Sequence, residues 1–288
     1  MLQKQPEQNN IFMKELTPTE SQKSELGLNF FGASVASVEH PERNEDAIFL
    51  DQKGGIAIVL DGVGGLSGGG RASQVAKDFL VEKLTAISET DSKVIRYRIR
   101  QALIEASNEV LKEVHGGGTT ATVAKFFEGN GEIRVIIGHV GDSRCYILRG
   151  GKLKQVTEDD DSLNTLSLSK QEKRQISARL DEIAKDQDLE QASPEARFLF
   201  NQRNVITQML GDEQSLNPHI YQLVLQAWDR VILTSDGVHD NLTKGEIEKV
   251  LKREDHAVAL VQRARTRSIQ AHIRAKPDDI SAIVVEVG

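Results

Sequence analysis

Apolar residues recur along this chain with the two spacings that predict strands and helices. Residues 56–60 (IAIVL) form a continuous apolar run between glycines, as in a strand that is buried on both faces. From Arg71 onward, apolar residues return every three or four positions, which predicts an amphipathic helix. A second helix is predicted over 92–114 and ends at a run of three glycines. The other predicted strands are 28–37, 47–50, 119–127, 133–140, 144–148, 152–156, 221–225, 231–234 and 280–287, with further helices over 244–252 and 255–274.

The order of these elements predicts one main domain with a tail and an insertion. Residues 1–27 are polar and lack sustained periodicity, which is typical of a flexible N-terminal tail. Residues 28–288 hold the strands, and we expect 28–37 to neighbour 47–50 and 221–225 to pair with 231–234. Residues 158–203 are polar with a helical pattern, which predicts an insertion or lid.

A glycine-rich turn follows the strand over 56–60 and begins with Asp61. A P-loop would end in Gly-Lys-Ser or Gly-Lys-Thr, whereas this turn ends in Gly70-Arg71-Ala72. A dinucleotide fingerprint that opens at Gly62 would need a third glycine where Ser67 stands. An acid at a strand end favours a hard metal ion, and a purely structural turn remains the alternative.

Four further strand ends carry an acid, at Asp46, Asp142, Asp236 and the pair Asp278 and Asp279. One such acid is an ordinary turn residue. Strand ends of one core lie close together, however, and several clustered carboxylates repel one another unless a cation neutralises them or they take up protons. All-oxygen ligands favour Mg²⁺ or Mn²⁺ over zinc, and the sequence contains no HExxH or CxxC zinc motif.

A cluster with enough carboxylates to bind two metal ions implies an enzyme that catalyses hydrolysis at phosphorus. In this chemistry a metal-activated water attacks in line, so that no protein nucleophile and no phosphoenzyme intermediate are needed. The sequence agrees, because it has no GxSxG nucleophile turn and no cysteine-based phosphate loop around Cys145.

Composition narrows the class of protein further. The 288 residues are 39% hydrophobic, which allows a sizeable core. The net charge of −7 and the lack of a basic run argue against a nucleic-acid partner. A single cysteine favours a reducing compartment, and we found neither a signal peptide nor an apolar run long enough to span a membrane. We therefore predict a cytoplasmic protein without membrane contact, and we also expect a monomer.

Seven motifs in order resemble a known family: RNED (43–46), DGVGGLSGGGRAS (61–73), GGTTATVA (117–124), GHVGDSRCYILRGGKLKQVTEDD (138–160), NVITQMLG (204–211), LTSDGVHDNLTKGEI (233–247) and PDDISAIVV (277–285). They are similar to the motifs of metal-dependent type 2C protein phosphatases of the bacterial type. The resemblance implies an α+β fold, a four-layer α-β-β-α sandwich of two antiparallel sheets flanked by helices. It also implies hydrolysis of phosphoserine and phosphothreonine in proteins that a serine/threonine kinase has phosphorylated.

The resemblance assigns roles by position. Asp61 resembles the carboxylate that bridges two Mn²⁺ or Mg²⁺ ions, and the Gly62 carbonyl resembles a ligand of one of them. Asp236 and Asp278 resemble ligands of the other ion, while Glu45 and Asp46 match acids that bind a metal or its waters. Asp142 and Asp240 match positions that hold a weaker third ion together with Asp236, or else they cap turns. The predicted site is thus Asp61, Asp46 and Arg43 as catalytic residues, with two or three ions held by Glu45, Asp46, Asp61, Gly62, Asp142, Asp236, Asp240 and Asp278.

Three departures from the family pattern stand out. The phosphate-binding arginine expected five residues before Asp46 is replaced by Pro41, so that Arg43 either substitutes for it or is a surface charge. Val63 replaces the histidine of animal members. Asp279 stands where asparagine is usual, which leaves open whether it or Asp278 is the ligand. The alternatives to a protein phosphatase are a pseudophosphatase that serves as a binding module and a phosphatase of a small phosphoester.

Overall fold

The computed structural model describes residues 14–16, 26–64, 68–203, 205–252 and 256–288. Most of the predicted N-terminal tail and residues 65–67 of the glycine-rich turn lie outside these ranges. Across the described ranges, no helix combines the length and apolar character that crossing a bilayer requires.

Thirteen strands and eight α-helices were assigned within the described residues. The strands are β1 (Lys14–Leu16), β2 (Leu28–Val35), β3 (Ala47–Asp51), β4 (Ile56–Leu60), β5 (Gly62–Val63), β6 (Gly118–Thr119), β7 (Ala121–Gly129), β8 (Glu132–Val140), β9 (Arg144–Arg149), β10 (Lys152–Gln155), β11 (His219–Val224), β12 (Arg230–Thr234) and β13 (Ile280–Val287). The helices are α1 (Gly69–Thr85), α2 (Ser92–Glu113), α3 (Lys170–Glu182), α4 (Asp186–Glu190), α5 (Pro194–Asn201), α6 (Asp236–His239), α7 (Lys244–Leu251) and α8 (His256–Ser268).

Two antiparallel sheets form the centre of the molecule. The first has the strand order β1-β2-β13-β12-β9-β10, and the second has the order β11-β8-β7-β4-β3. Apolar side chains fill the space between them, and the rings of Phe30 from β2 and Phe126 from β7 meet edge to face at 5.6 Å. This contact joins the two sheets at their inner faces.

Helices cover the outer face of each sheet. The apolar sides of α1 and α2 pack on the second sheet, through residues such as Leu80 and Leu103. The first sheet is covered by α6, α7 and α8, with Leu260 of α8 in the same core as Val284 of β13. The predicted α+β class and its four-layer α-β-β-α arrangement are therefore confirmed.

Two predicted strand pairings are wrong. Strand β3 pairs with β4 in the second sheet, not with β2 in the first. Strand β11 pairs with β8, whereas β12 pairs with β13 and β9 in the other sheet. In both cases consecutive strands enter different sheets, because each has an apolar face that contributes to a shared core between the sheets. Helix α8 is also shorter than expected and ends at Ser268, where the exposed Ile269 interrupts the apolar stripe.

The segment over 158–203 carries three helices, α3, α4 and α5, and a 3₁₀ turn at Ser162–Thr165. These helices bury a small core of their own, formed by Ile183, Ala192, Ala196 and Phe200, with Ile273 from the segment after α8 packed against it. The segment is thus attached to the part of the chain that leads into β13.

Candidate metal centre

Asp61 lies where β4 ends, and Thr119 and Thr120 fix its backbone. The Asp61 amide donates to Thr120 Oγ1 at 3.0 Å, and its carbonyl accepts from the Thr120 amide at 2.9 Å. A second hydroxyl, Thr119 Oγ1, donates to the same carbonyl at 2.9 Å. The short ladder between β5 and β6 continues this attachment at Gly62. The backbone of Asp61 is therefore held while its side chain stays available.

Gly62 is required by a close approach of three backbone segments. A Cβ atom at this position would lie 2.5 Å from the carbonyl of Gly69 and 2.7 Å from the carbonyl oxygen of Glu45. A Cβ atom on Gly69 would in turn lie 2.8 Å from the carbonyl oxygen of Gly62. These two glycines allow the start of α1 to approach the strand end that carries Asp61.

Asp46 is buried, and one of its oxygens is held by another strand. Ser235 Oγ, at the end of β12, donates to Asp46 Oδ2 at 2.8 Å. The other oxygen, Asp46 Oδ1, is buried and has no hydrogen-bond partner among the described residues. A buried acceptor without a donor is costly unless a cation or water contacts it. The same applies to Asp236 Oδ1.

Electrostatics indicate that the predicted acids form one cluster. Burial, and then the charges of Asp236, Asp46, Asp278 and Asp142, hold the pKa of Asp61 well above its usual range. Burial and the charge of Asp236 likewise raise the pKa of Asp278 to about 7. Carboxyl groups with raised pKa values at one site retain protons unless a cation replaces them. Five of the predicted residues, Asp46, Asp61, Asp142, Asp236 and Asp278, thus interact electrostatically.

Lys276 enters this cluster, although no sequence motif singled it out. Its Nζ donates to Asp236 Oδ2 at 2.5 Å and to Asp240 Oδ2 at 2.9 Å, and lies 3.1 Å from Asp278 Oδ2. Burial alone would raise the pKa of Asp236, but the charge and hydrogen bond of Lys276 outweigh it and lower that pKa. Asp236 is therefore ionised and paired with an internal cation.

The neighbouring acids Asp278 and Asp279 have different surroundings. Asp279 Oδ1 accepts from the Ser37 amide at 2.7 Å, and Asp279 Oδ2 accepts from the Glu45 amide at 2.6 Å. The Asp279 carboxylate thus fixes the loop that carries Glu45. Asp278 lies beside Lys276 and contributes to the raised pKa of Asp61. Both acids act on the cluster, because burial and then the charge of Asp279 raise the pKa of Asp46, while the charge of Asp278 adds to the raised pKa of Asp61.

Glu45 and Arg43 lie on this loop at the edge of the cluster. Arg43 Nε is 3.9 Å from Glu45 Oε1, and the Arg43 side chain is 38% exposed. Among the described residues, possible ligand atoms of His40, Glu45 and Asp279 lie within 4.8 Å of one another. Because both oxygens of Asp279 already accept backbone amides, this group serves to hold the loop.

Asp142 and Asp240 connect the cluster to the segment over 158–203. Both are buried, and burial followed by the charge of Asp236 holds the pKa of Asp142 well above its usual range. Arg203, just after α5, has its Nε 3.7 Å from Asp240 Oδ2. Arg144, two residues after Asp142, contacts Asp181 of α3 at 2.9 Å. Helix α3 and the end of α5 therefore lie against the acids predicted to hold a third ion.

The residues fit a divalent metal centre. The cluster offers carboxylate oxygens, two of them buried and unpartnered within the described chain, and these are the ligands that Mg²⁺ and Mn²⁺ prefer. These acids lie just before or after strands of both sheets, four of them in loops and Asp236 at the start of α6: Asp46, Asp61, Asp142, Asp236 and Asp278. This arrangement places the centre at one end of the sandwich.

A comparison with known proteins gives the family. A family model described as Protein phosphatase 2C matches residues 35–275, which is most of the chain. The chain belongs to the protein phosphatase 2C family. This confirms the resemblance and the prediction of a protein phosphatase. The matched range ends one residue before Lys276.

The chain is similar to phosphatases from bacteria. The chain is 26% identical to the serine/threonine phosphatase stp of Listeria innocua, over 89% of this chain and 94% of that protein. It is 28% identical to the serine/threonine protein phosphatase PstP of Mycobacterium tuberculosis, over 85% of this chain and 42% of that longer protein. A solved PstP catalytic domain in complex with two manganese ions has the same fold, with a TM-score of 0.64 at 24% identity, over 90% of this chain and 97% of that one.

Proposed function

We propose that this protein hydrolyses phosphoserine and phosphothreonine in phosphoproteins and uses two divalent cations, Mn²⁺ or Mg²⁺. The observation that carries the proposal is the buried cluster of Asp46, Asp61, Asp236 and Asp278, which has raised pKa values at three of its members and unpartnered oxygens at two. Family membership and the manganese ions in the PstP catalytic domain support it. The monomeric state and the cytoplasmic location remain predictions from the sequence.

Each residue of the cluster has a proposed role. Asp61 would bridge the two cations, and the Gly62 carbonyl would contact one of them. Asp236 and Asp278 would complete the other site, while Glu45 and Asp46 would hold a cation or its waters. When bound, the cations lower the pKa of a water and offset the charge of the phosphoryl oxygens.

The protein's own residues then orient the reactants. Ser235 keeps Asp46 directed into the cluster, and Thr120 fixes the backbone of Asp61. Arg43 is proposed to bind the substrate phosphate, because its side chain lies beside Glu45 and is 38% exposed. His239 is buried, and burial with the charges of Arg144, Lys276 and Arg274 holds its pKa well below the usual range. It is therefore neutral at pH 7 and does not supply the leaving-group proton as an imidazolium.

The test is phosphate release from phosphoserine and phosphothreonine peptides after chelation and after Mn²⁺ is restored. We expect activity only with the metal, and a loss of at least about a hundredfold in Asp61→Asn. Asp78→Asn is the matched control, because Asp78 is an exposed acid of α1. Activity without metal, or full activity in Asp61→Asn, would refute the proposal.

Two further measurements separate the alternatives. Calorimetry that detects no Mn²⁺ binding would instead favour the binding module without catalysis. Faster hydrolysis of nucleotides or other small phosphoesters than of phosphopeptides would favour a small-molecule phosphatase. Replacing Arg43 with alanine should mainly raise KM for the phosphopeptide, since the residue is proposed to bind substrate.

A further inference from the structure

Lys276 places a covalently attached cation among the acids of the metal centre. The ammonium group has three N–H donors and meets three carboxylates, of Asp236, Asp240 and Asp278, at 2.5, 2.9 and 3.1 Å. The side chain of Lys276 is only 20% exposed, and those of Asp236 and Asp240 are 12% and 7% exposed. An ammonium with this set of acceptors has no donor left over.

The backbone of Lys276 is fixed to the loop that carries these acids. Its amide donates to Asn241 Oδ1 at 3.0 Å, and its carbonyl accepts from Asn241 Nδ2 at 2.9 Å. Asn241 is fully buried and also donates to the carbonyl of Gly237. Because Gly237 and Asn241 directly follow Asp236 and Asp240, this double hydrogen bond fixes the start of the Lys276 side chain beside both acids. These backbone hydrogen bonds therefore help to hold the ammonium beside Asp236 and Asp240.

Basic side chains already face the acids on this side of the cluster. Asp240 faces Lys276 and also Arg203, whose Nε is 3.7 Å from Asp240 Oδ2. Asp236 directs Oδ2 to Lys276, while its Oδ1 is buried and without a partner among the described residues. A divalent ion placed between Asp236 and Asp240 would lie next to the ammonium and be repelled by it. On the other side, Asp46 Oδ1 remains free for a cation.

We propose that the Lys276 ammonium takes the place of a third metal ion, so that this protein binds two divalent cations and holds Asp240 through lysine. The inference rests on the proposed function, since it concerns how many cations the same centre accepts. Asp240 is then a partner of Lys276 and Arg203. Asp236 and Asp278 direct Oδ2 to the lysine and would each offer Oδ1 to a metal.

The experiment counts Mn²⁺ per chain, by calorimetry and by elemental analysis after gel filtration. The wild type should bind two ions and Lys276→Met three, because the methionine leaves the carboxylates without their internal cation. Lys276→Arg, which keeps the charge, should bind two. Lys252→Met, an exposed lysine of the same chain, is the surface control and should also bind two.

A second variant makes the test independent of how well Lys276→Met folds. If Asp240 contacts lysine and no metal, Asp240→Asn should leave the count at two. Three ions in the wild type, loss of an ion in Asp240→Asn, or an unchanged count in folded Lys276→Met would overturn the inference and leave the proposed function standing. No bound Mn²⁺ in the wild type would overturn both.

Discussion

Asp279 Oδ2 accepts a hydrogen bond from the backbone amide of Glu45 at 2.6 Å. The bond joins two segments 234 positions apart in the chain and fixes the loop that carries Glu45, Asp46 and Arg43. Asp279 thus fixes the loop of the metal centre, and its charge adds to burial in raising the pKa of Asp46, as the charge of its neighbour Asp278 does for Asp61.

Alanine at position 279 should lower stability more than alanine at position 278. In Asp279→Ala, the buried amides of Ser37 and Glu45 lose their acceptors, which should cost about 2–4 kcal/mol in the free energy of unfolding. Asp278→Ala should change that free energy by less than about 1 kcal/mol in chelator, because it also relieves repulsion within the cluster.

Urea unfolding in chelator measures the stability of both variants, and calorimetry measures their Mn²⁺ affinity. Asp278→Ala should lose most of its affinity for Mn²⁺ while it remains folded. If folded Asp279→Ala lost more affinity than Asp278→Ala, then Asp279 would be the ligand.

Alanine at Gly62 should disturb the centre. The new Cβ would lie 2.5 Å from the backbone of Gly69 and 2.7 Å from the Glu45 carbonyl oxygen, so one of these segments must move. We expect a loss of about 1–3 kcal/mol in unfolding free energy and weaker Mn²⁺ binding.

Gly245→Ala is the matched control, since Gly245 lies in helix α7 and a Cβ there meets nothing within 4 Å. It should raise stability by about 0.5 kcal/mol. Equal effects of the two substitutions in urea unfolding would mean that the close approach at Gly62 is easily relaxed.

The strands and the acids at their ends could be predicted from the sequence. The bounds of β4 and β13 match the apolar runs of 56–60 and 280–287, because both strands are central and buried on both faces. Since Asp61 and Asp278 flank these runs, their meeting at one end of the sandwich follows from the layers of the fold.

Pairing and charge balance could not be predicted from the sequence. The entry of β3 and β11 into the second sheet depends on a core shared by both sheets, which no local pattern reports. The position of Lys276 depends on Asn241, 35 residues earlier, and on a side-chain direction that spacing does not encode. Asp278 and Asp279 are adjacent, and only the tertiary fold decides which of them meets the amide of Glu45.

Arg274 should be the main attachment of helix α3 to the metal centre. Its guanidinium donates to the carbonyls of Leu180 and Ile183 at the end of α3, and to those of His239 and Asp240 beside the cluster. In Arg274→Met these buried acceptors lose their donors, and we expect a loss of about 2–4 kcal/mol. Amide hydrogen exchange should rise most over 170–201.

Arg174→Met is the control for Arg274→Met. Arg174 is 75% exposed and lies 3.8 Å from the exposed Glu158, a surface ion pair whose loss should cost less than about 0.5 kcal/mol. A uniform increase of exchange in Arg274→Met across both sheets would show that Arg274 stabilises the whole domain and not the segment over 158–203.

His219 should make stability depend on pH. Its Nε2 lies 2.9 Å from Asp160 Oδ1, and this hydrogen bond raises the pKa of His219 above 6.5 although burial opposes it. Burial holds the pKa of the neighbouring His139 at about 4, so that His139 stays neutral and His219 carries the proton. A raised folded-state pKa gives stability that is fully present below the unfolded value and is lost as pH rises through the folded value.

The wild type should therefore lose more stability than His219→Gln between about pH 6 and pH 8.5. Because the His219 side chain is one-third exposed, the difference should be about 1 kcal/mol or less. Urea unfolding across this range measures it, with His115→Gln, an exposed histidine, as the control. A wild-type slope equal to that of His219→Gln would mean that the Asp160 contact does not favour the charged imidazole. If the wild type instead gained stability relative to His219→Gln as the pH rose, the pKa of His219 would be lower in the folded state than in the unfolded state.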